Sequence, residues 1–476
     1  MIGGVLGARQ PHAPVFVELW SARVHAEILT IGDELCRGEI VDTNSAYLAG
    51  RLWDLGITTR WMTSCNDVDD DLAAAITQAV RRSDVVVCSG GLGPTEDDLT
   101  VDVASRLAGV APIIDAAARD RMELWFAAAA QSNRIPVTSD SRLAAIQLRQ
   151  VRVPTAARVY ENPVGLAPGF EVAIGGVPVV CLPGFPREIH AIWDRSLAAR
   201  FVELREATGE PERIVRQIYR VFGRGESQIS RACRGALDER TDETGAATIH
   251  YQVKFPETLV KVVVRDRDGA AAAARLAELE RRIRDRLVPY LYGTGEETLI
   301  ERAMRRLLAA NHTVATAESC TGGMIGELLT RIPGSSSAFR GGAIVYSNDE
   351  KRRQLGVSET TLAAHGAVSE PVVREMALGA LVRFATTHAV AVSGVAGPDG
   401  GTPEKPVGTV WIAVASQLEG SDEPAIATRK LAWPSTRDQI RMLAAWWSIA
   451  MIDAAVPTDD PADAERALWI LAGRAR

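Results

Sequence analysis

From Ala26 onward the chain alternates short apolar runs with amphipathic stretches, the pattern of strands joined by crossover helices. Residues 26–32 (AEILTIG) read as a buried strand, and NSAYLAGRLWDLG as a helix capped by Asp42, Thr43 or Asn44 and ended at Gly56. Strand, helix and strand follow at 57–65, 69–83 and 84–90, then a helix near 98–108 and a further strand entering a Pro/Gly turn at 177–189. This order predicts a parallel sheet with helices on both faces. After about residue 200 the texture changes to a small α+β module with antiparallel-looking strands and an Ala-rich, charged helix at 270–287. A third α/β region has helices at 298–310 and 370–385 and strands at 312–319, 341–347, 389–394 and 408–416. The expected division is an N-terminal extension (1–24) without assigned function, then domains at 25–195, 200–290 and 295–460.

A chain of 476 residues exceeds one ordinary domain, and a 47% hydrophobic, 24% charged composition excludes disordered, collagen-like and disulfide-scaffold classes. Lys and Arg number 53 against 60 Asp and Glu, a net charge of −7 that argues against a dedicated nucleic-acid binder. The six cysteines (Cys36, Cys65, Cys88, Cys181, Cys233 and Cys320) show no CxxC or zinc-ligand spacing, which fits a reducing compartment. No signal-peptide pattern and no run of 18 apolar residues occurs, so a cytoplasmic location without membrane contact is expected.

The sharpest motif of the first region is SGGLGPTEDDLT (89–100), placed between a buried strand and a helix. Gly90, Gly91 and Gly93 let bare amides approach an anion, and Asp97 and Asp98 would then call for a bridging divalent cation. The simpler alternative is a Gly-rich turn in which Thr95 caps a helix and the acids complement its dipole. The loops GDELCRGEIVDTN and CND follow strands at the same sheet end and add Asp33, Glu34 and Asp67, which favours a nucleotide or pyrophosphate site with a metal.

These segments, with LPGFPREI (182–189), resemble the N-terminal domain of the competence/damage-inducible protein A (CinA) family over roughly residues 24–190. The resemblance implies a molybdopterin-binding-like three-layer fold. It also implies an ADP-ribose pyrophosphatase activity giving AMP and ribose 5-phosphate, dependent on Mg, Mn or Co. Its positions fall on Gly90, Gly91, Gly93, Thr95, Asp97 and Asp98, with Asp67 transferred from the wider fold. Residues 200–290 resemble the family's KH-like linker, but FGRGES (222–227) lacks the GXXG grip of a nucleic-acid-binding KH domain. Nucleic-acid binding is therefore not expected, and a spacer or dimerisation role is.

The third region gathers AESCTGG (317–323), GSSSAFRGGAIVYSNDEK (334–351) and SGVAGPDGGTPEKPVGTVW (393–411). These offer hydroxyls, a lysine and glycine loops, and a desolvated lysine can activate a serine when no histidine serves. None of the seven histidines lies in a hydrolase signature, and no GxSxG elbow occurs. Taken singly, Ser319 and Thr321 could be helix caps, Tyr346 a core aromatic and Lys351 a solvated residue; their joint presence is what points to a site. Residues 295–455 resemble the CinA C-terminal domain, also known as a stand-alone nicotinamide mononucleotide (NMN) deamidase. That resemblance implies metal-free hydrolysis of NMN to nicotinate mononucleotide and ammonia. It places the nucleophile on Ser336, with Ser319 second, and makes Tyr346 and Lys351 the proton-handling partners. Glu318, Cys320, Thr321, Gly322, Gly323, Ser393 and Gly394 are expected to line the pocket and Arg437 to meet the substrate phosphate.

The reading is a bifunctional hydrolase acting on NMN and ADP-ribose, expected as a homodimer. A deamidase with a degenerate nucleotide-binding N-terminal domain, or a non-catalytic competence or DNA-damage partner, are the alternatives.

Overall fold

The computed structural model describes residues 17–21, 24–131, 147–207, 212–237, 247–266 and 268–472. The chain divides into two compact units, one built of Val17–Val215 with Arg265–Ala273, the other of Arg216–Val264 and the chain from Ala274 onward. None of the described helices is long and apolar enough to cross a membrane.

The strands of the first unit are β1 (Val17–Ser21), β2 (His25–Ile31), β3 (Thr58–Cys65), β4 (Val85–Ser89), β5 (Pro112–Ile114), β6 (Arg152–Pro154), β7 (Arg158–Tyr160), β8 (Gly169–Ile174) and β9 (Val177–Leu182). Its main sheet runs β3-β2-β4-β9-β8-β7. Parallel pairing joins β3, β2, β4 and β9, as the alternation of strands and helices predicts. The other half departs from the expected all-parallel sheet, because β8 pairs antiparallel with both β7 and β9. The cause is local: Gly175 and Gly176 stand at φ 59° and 84°, the two left-handed positions of a tight hairpin turn. Alternate residues of β4 serve opposite layers. Val86 and Cys88 pack with helices Asp69–Arg82 and Thr100–Ala108, while Val85 and Val87 pack with Leu48, Leu52, Ile189 and Trp193.

The second unit contains the rest of β10 (Glu212–Phe222), with β11 (Ala247–Lys254), β12 (Glu257–Asp266) and β13 (Leu291–Thr294) forming a small antiparallel-type sheet. Its larger sheet uses β14 (Val314–Glu318), β15 (Phe339–Ile344), β16 (His388–Gly394), β17 (Thr409–Ser416) and β18 (Ala425–Ala432), ordered β15-β14-β16-β17-β18. The first three are parallel, and β17 and β18 continue antiparallel. The edge strand β18 (AIATRKLA) was not expected, since its half-exposed, charged pattern lacks the apolar run of the central strands. The middle and C-terminal regions share one core: Phe222 and Tyr292 pack with Leu299, Trp446, Trp447 and Trp469, and the Phe222 and Trp447 rings lie 4.9 Å apart. The middle module is thus part of the same packed body as the third region.

One ion cluster ties three helices of this body together. Asp453, fully buried on helix Arg437–Ala455, accepts from Arg302 at 3.2 Å and Arg306 at 3.1 Å on helix Leu299–Ala309. It also accepts from Arg466 at 2.7 Å on helix Pro461–Ala472. Burial works to raise the Asp453 pKa, but the three guanidiniums win and hold it below the ordinary carboxylate value. Removing the anion would leave buried cations without a counter-charge, so Asp453→Asn is expected to destabilise the unit by about 3–5 kcal/mol. Urea unfolding at pH 7 measures this; a change under 1 kcal/mol would mean that the arginines find other acceptors.

Candidate active site

At the carboxyl edge of the larger sheet, Glu318 of β14 stands in register with Ile344 of β15 and Val392 of β16. The loops that leave these strands therefore meet in one place, as loops at strand ends do in open α/β sheets. The first loop, SCTGG, turns directly into helix Met324–Thr330. Neither Ser319 nor Thr321 caps that helix. The buried Glu318 carboxylate does so instead, accepting from the amides of Gly323 (2.9 Å), Ile325 (3.1 Å) and Gly326 (2.9 Å). Glu318 is therefore a fastening for its own loop rather than a pocket-lining group.

With the loop so anchored, Ser319 meets Lys351. The Lys351 Nζ lies 3.0 Å from Ser319 Oγ, 2.8 Å from the Val345 carbonyl and 3.3 Å from the Tyr346 carbonyl. Lys351 is 1% exposed, and burial pushes its pKa down to about 8. It sits on helix Asn348–Leu355, whose N-terminus is capped by the Ser347 hydroxyl accepting from the Glu350 amide. The helix seats deeply because helix Glu370–Phe384 presents Gly379, where an added Cβ would stand 2.0 Å from the Leu355 carbonyl oxygen.

Ser336 does not belong to this group. It is exposed in the short turn Ser335–Ser337 that precedes β15, beside Ala338, whose carbonyl meets the Val314 amide at the amino edge of the sheet. Strand Phe339–Ile344 runs from there to the loop holding Lys351, roughly 20 Å away at about 3.3 Å per residue. The geometry thus pairs Lys351 with Ser319, the second of the two expected nucleophiles.

Tyr346 also takes another role. It is the Tyr346 carbonyl that meets Lys351, whereas the hydroxyl accepts from Arg437 Nη2 at 3.1 Å on a ring that is 62% exposed. Arg437 opens helix Arg437–Ala455, and its Nη1 donates to the Gly397 carbonyl at 2.7 Å. Cys320 is buried, its thiol pushed up to about 12 by desolvation, so it is no rival nucleophile. Ser393 donates to the Ala367 carbonyl at 2.8 Å, and Gly394 packs against Val410, so both build the wall of the site. Thr321 is fully buried, and Gly322 and Gly323 complete the turn. Arg441, which no sequence motif singled out, donates to the carbonyls of Cys320 (3.2 Å) and Thr321 (2.9 Å) from 120 residues away.

The first unit has its own cavity, of about 250 Å³, at the carboxyl ends of β2, β4 and β9. Gly90, Gly91, Gly93, Glu34, Asp67 and Asp97 line it, as does Glu188. Gly90 and Gly91 adopt φ 110° and 65°, and a side chain at either would collide with Ile31 O or Thr100 Oγ1 at 2.3 Å. These glycines are thus demanded by the turn itself, whatever it binds. Asp67 accepts from the Asp33 amide at 2.9 Å, and burial raises its pKa against that hydrogen bond, with Asp33, Glu34 and Asp97 adding repulsion. Glu188, missed by the motif reading, accepts from Asn162 at 3.0 Å, and burial raises its pKa.

Asp67, Asp97 and Asp98, the expected metal set, all line this cavity but are not drawn together around one point. Asp98 turns inward: one oxygen accepts from the Gly93 amide at 2.7 Å, the other from the Thr95 amide at 2.8 Å and hydroxyl at 2.5 Å. Thr95 is held by the same bonds. Among the described residues no three His, Cys, Asp or Glu side chains are grouped to hold a metal ion. The donor set as placed does not fit the divalent cation.

Comparison with known proteins covers residues 27–456 of this architecture in three matches. Residues 27–201 match the family described as a probable molybdopterin binding domain, residues 216–293 the damage-inducible protein CinA KH domain, and residues 296–456 the CinA C-terminal domain. A competence-damage inducible protein of Symbiobacterium thermophilum is 41% identical over 431 residues, 90% of this chain and 97% of that protein. A CinA-like protein of Anaeromyxobacter is 39% identical over 442 residues, covering 91% of this chain and all of the relative. Among solved structures, a competence/damage inducible protein from Agrobacterium tumefaciens is 39% identical, covering 33% of this chain and 96% of its own, with a TM-score of 0.31.

The cysteines give a direct check on burial. Cys36 is exposed and the other five are buried. At pH 8 a thiol-specific chromogenic reagent is expected to titrate Cys36 alone in the native protein and the remainder only on unfolding. Fast native reaction at Cys320 as well, located by peptide mapping, would show that the SCTGG loop is open.

Proposed function

The chain belongs to the CinA family, and on that premise we propose that its C-terminal domain is an amidohydrolase. It would convert nicotinamide mononucleotide and water to nicotinate mononucleotide and ammonia, with Ser319 as nucleophile and Lys351 as base. The single observation that carries this reading is the buried 3.0 Å contact between Lys351 Nζ and Ser319 Oγ. A lysine base must be neutral, and desolvation to a pKa of about 8 supplies that form, about one molecule in five at pH 7.4.

The neutral amine has two hydrogens and one lone pair. The hydrogens have the Val345 and Tyr346 carbonyls as acceptors, which leaves the lone pair for the Ser319 proton. Ser319 Oγ attacks the carboxamide carbon as its proton passes to Lys351. The tetrahedral oxyanion collapses, the C–N bond breaks, and the Lys351 ammonium protonates the departing nitrogen, which leaves as ammonia. Water then attacks the acyl ester, Lys351 again takes a proton, and that proton returns to Ser319 as the carboxylate product departs. Arg437 is exposed at the mouth beside Tyr346 and suits a phosphate monoester by its charge and fork of donors.

Ammonia release from NMN by the full chain tests this. Ser319→Ala is expected to fall at least 10³-fold, Ser336→Ala to stay within about twofold, and Tyr346→Phe to stay within about tenfold. Because the base is the deprotonated lysine, kcat/KM should rise with pH and level off above a midpoint near 8. An active Ser319→Ala beside a silent Ser336→Ala would overturn the assignment.

A second activity is favoured by the cavity of the first unit, whose glycine turn offers backbone amides to an anion beside acidic walls. The proposal there is hydrolysis of ADP-ribose to AMP and ribose 5-phosphate. The family resemblance implies dependence on Mg, Mn or Co for this activity. AMP formation from ADP-ribose, with each cation and with a chelator, is the measurement. Activity lost in Asp67→Asn but retained in Ser319→Ala is expected; silence under every condition would leave the deamidase as the one activity.

A further inference from the structure

Resting on the Ser319 reading, we propose that Arg441 is a positioning residue that builds the oxyanion site, and that Thr321 is the group it positions. Attack by Ser319 leaves a negative charge on the former carboxamide oxygen, and such a charge needs donors that are already aimed before it forms. Glycine-rich turns have amides to offer, but the direction of each depends on where the neighbouring carbonyl points.

Arg441 fixes that direction. Its Nε holds the Cys320 carbonyl at 3.2 Å and its Nη2 the Thr321 carbonyl at 2.9 Å. In a trans peptide the C=O and the following N–H point opposite ways. Drawing the Cys320 carbonyl toward Arg441 therefore turns the Thr321 N–H away from Arg441. The next amide, of Gly322, donates to the Ser319 carbonyl at 3.2 Å, which closes the turn, whereas no carbonyl among the described residues takes the Thr321 amide.

The Thr321 side chain is the second observation. It is 0% exposed, and its hydroxyl has no hydrogen-bond partner among the described residues. Buried hydroxyls are ordinarily paired, and this one, two residues from Ser319, is left free to donate to a group bound at the turn. Thr321 thus brings an amide and a hydroxyl to the reacting oxygen, and Arg441 acts through it without touching substrate.

The test is steady-state deamidation of NMN by full-length Arg441→Ala, Arg441→Lys, Thr321→Val, Thr321→Ser, the Arg441→Ala/Thr321→Val double variant and Ser319→Ala. Removing the clamp or the hydroxyl is expected to lower kcat about 10²-fold, as loss of an oxyanion donor does. KM should move less than threefold and the pH midpoint near 8 should stay in place. Thr321→Ser should keep most activity, added methylguanidinium should restore part of Arg441→Ala, and the double variant should be scarcely worse than either single. Wild-type kcat in Arg441→Ala beside a silent Ser319→Ala would overturn the positioning role alone. So would a loss in Arg441→Ala that comes with a displaced pH midpoint, which would mark general collapse of the loop. An active Ser319→Ala would instead sink the underlying deamidase reading.

Discussion

Withdrawing one lysine nitrogen from water dictates the construction of the carboxyl edge of the larger sheet. An ammonium placed in the interior without partners is untenable, so Lys351 Nζ must be supplied with acceptors, and the chain supplies the carbonyls of Val345 and Tyr346. Those carbonyls come from the strand-to-helix turn immediately before it, which folds the lysine back over its own entry. The depth of burial in turn depends on Gly379, since any side chain there would lift helix Asn348–Leu355 off its neighbour. Desolvation that would otherwise be only destabilising thereby lowers the pKa of the amine beside Ser319.

Glycine-rich loops in the two units meet the same physical problem in the same way. Each exposes several amides, and each has a carboxylate within reach. Glu318 settles onto the amides at the start of its helix, and Asp98 onto those of Gly93 and Thr95. An acid inside a glycine loop is thus as much a means of satisfying the loop as a ligand for something else. That is why Glu318 and Asp98, both conspicuous in the motifs, proved to be fastenings.

Much of the architecture was legible in the sequence because strand and helix periodicity is local. The alternation from Ala26 gave the parallel half of the first sheet, and the strands ending at Glu318 and Gly394 fell where the apolar runs put them. What escaped were features set by one turn or by distant partners. Gly175 and Gly176 reverse the chain in two residues and convert half a sheet to antiparallel, and the charged pattern of β18 concealed an edge strand. In the site, the five-residue spacing of Tyr346 and Lys351 was real, but it is the tyrosine's backbone that answers the lysine. Ser319 and Lys351 are 32 residues apart and meet only because two strands run parallel and end together, whereas Ser336, nearer in sequence, lies in the turn before the strand whose far end leads to the lysine's helix. Arg441 lies beyond any motif, on a helix that touches the loop only in three dimensions.

The ion cluster around Asp453 bears on where this protein can be divided. The CinA C-terminal match stops at residue 456, and Ser319 and Lys351 lie well inside it. Arg466 lies beyond that limit, as does Trp469, which packs against Tyr290 and Trp447 from the far side. An excised fragment that respected the family boundary would keep Ser319 and Lys351 and lose part of the mortar, exposing Trp447 and leaving Asp453 with two of its three cations. In this chain the packed piece is larger than the matched module, and the middle segment and the last helix have become parts of its foundation.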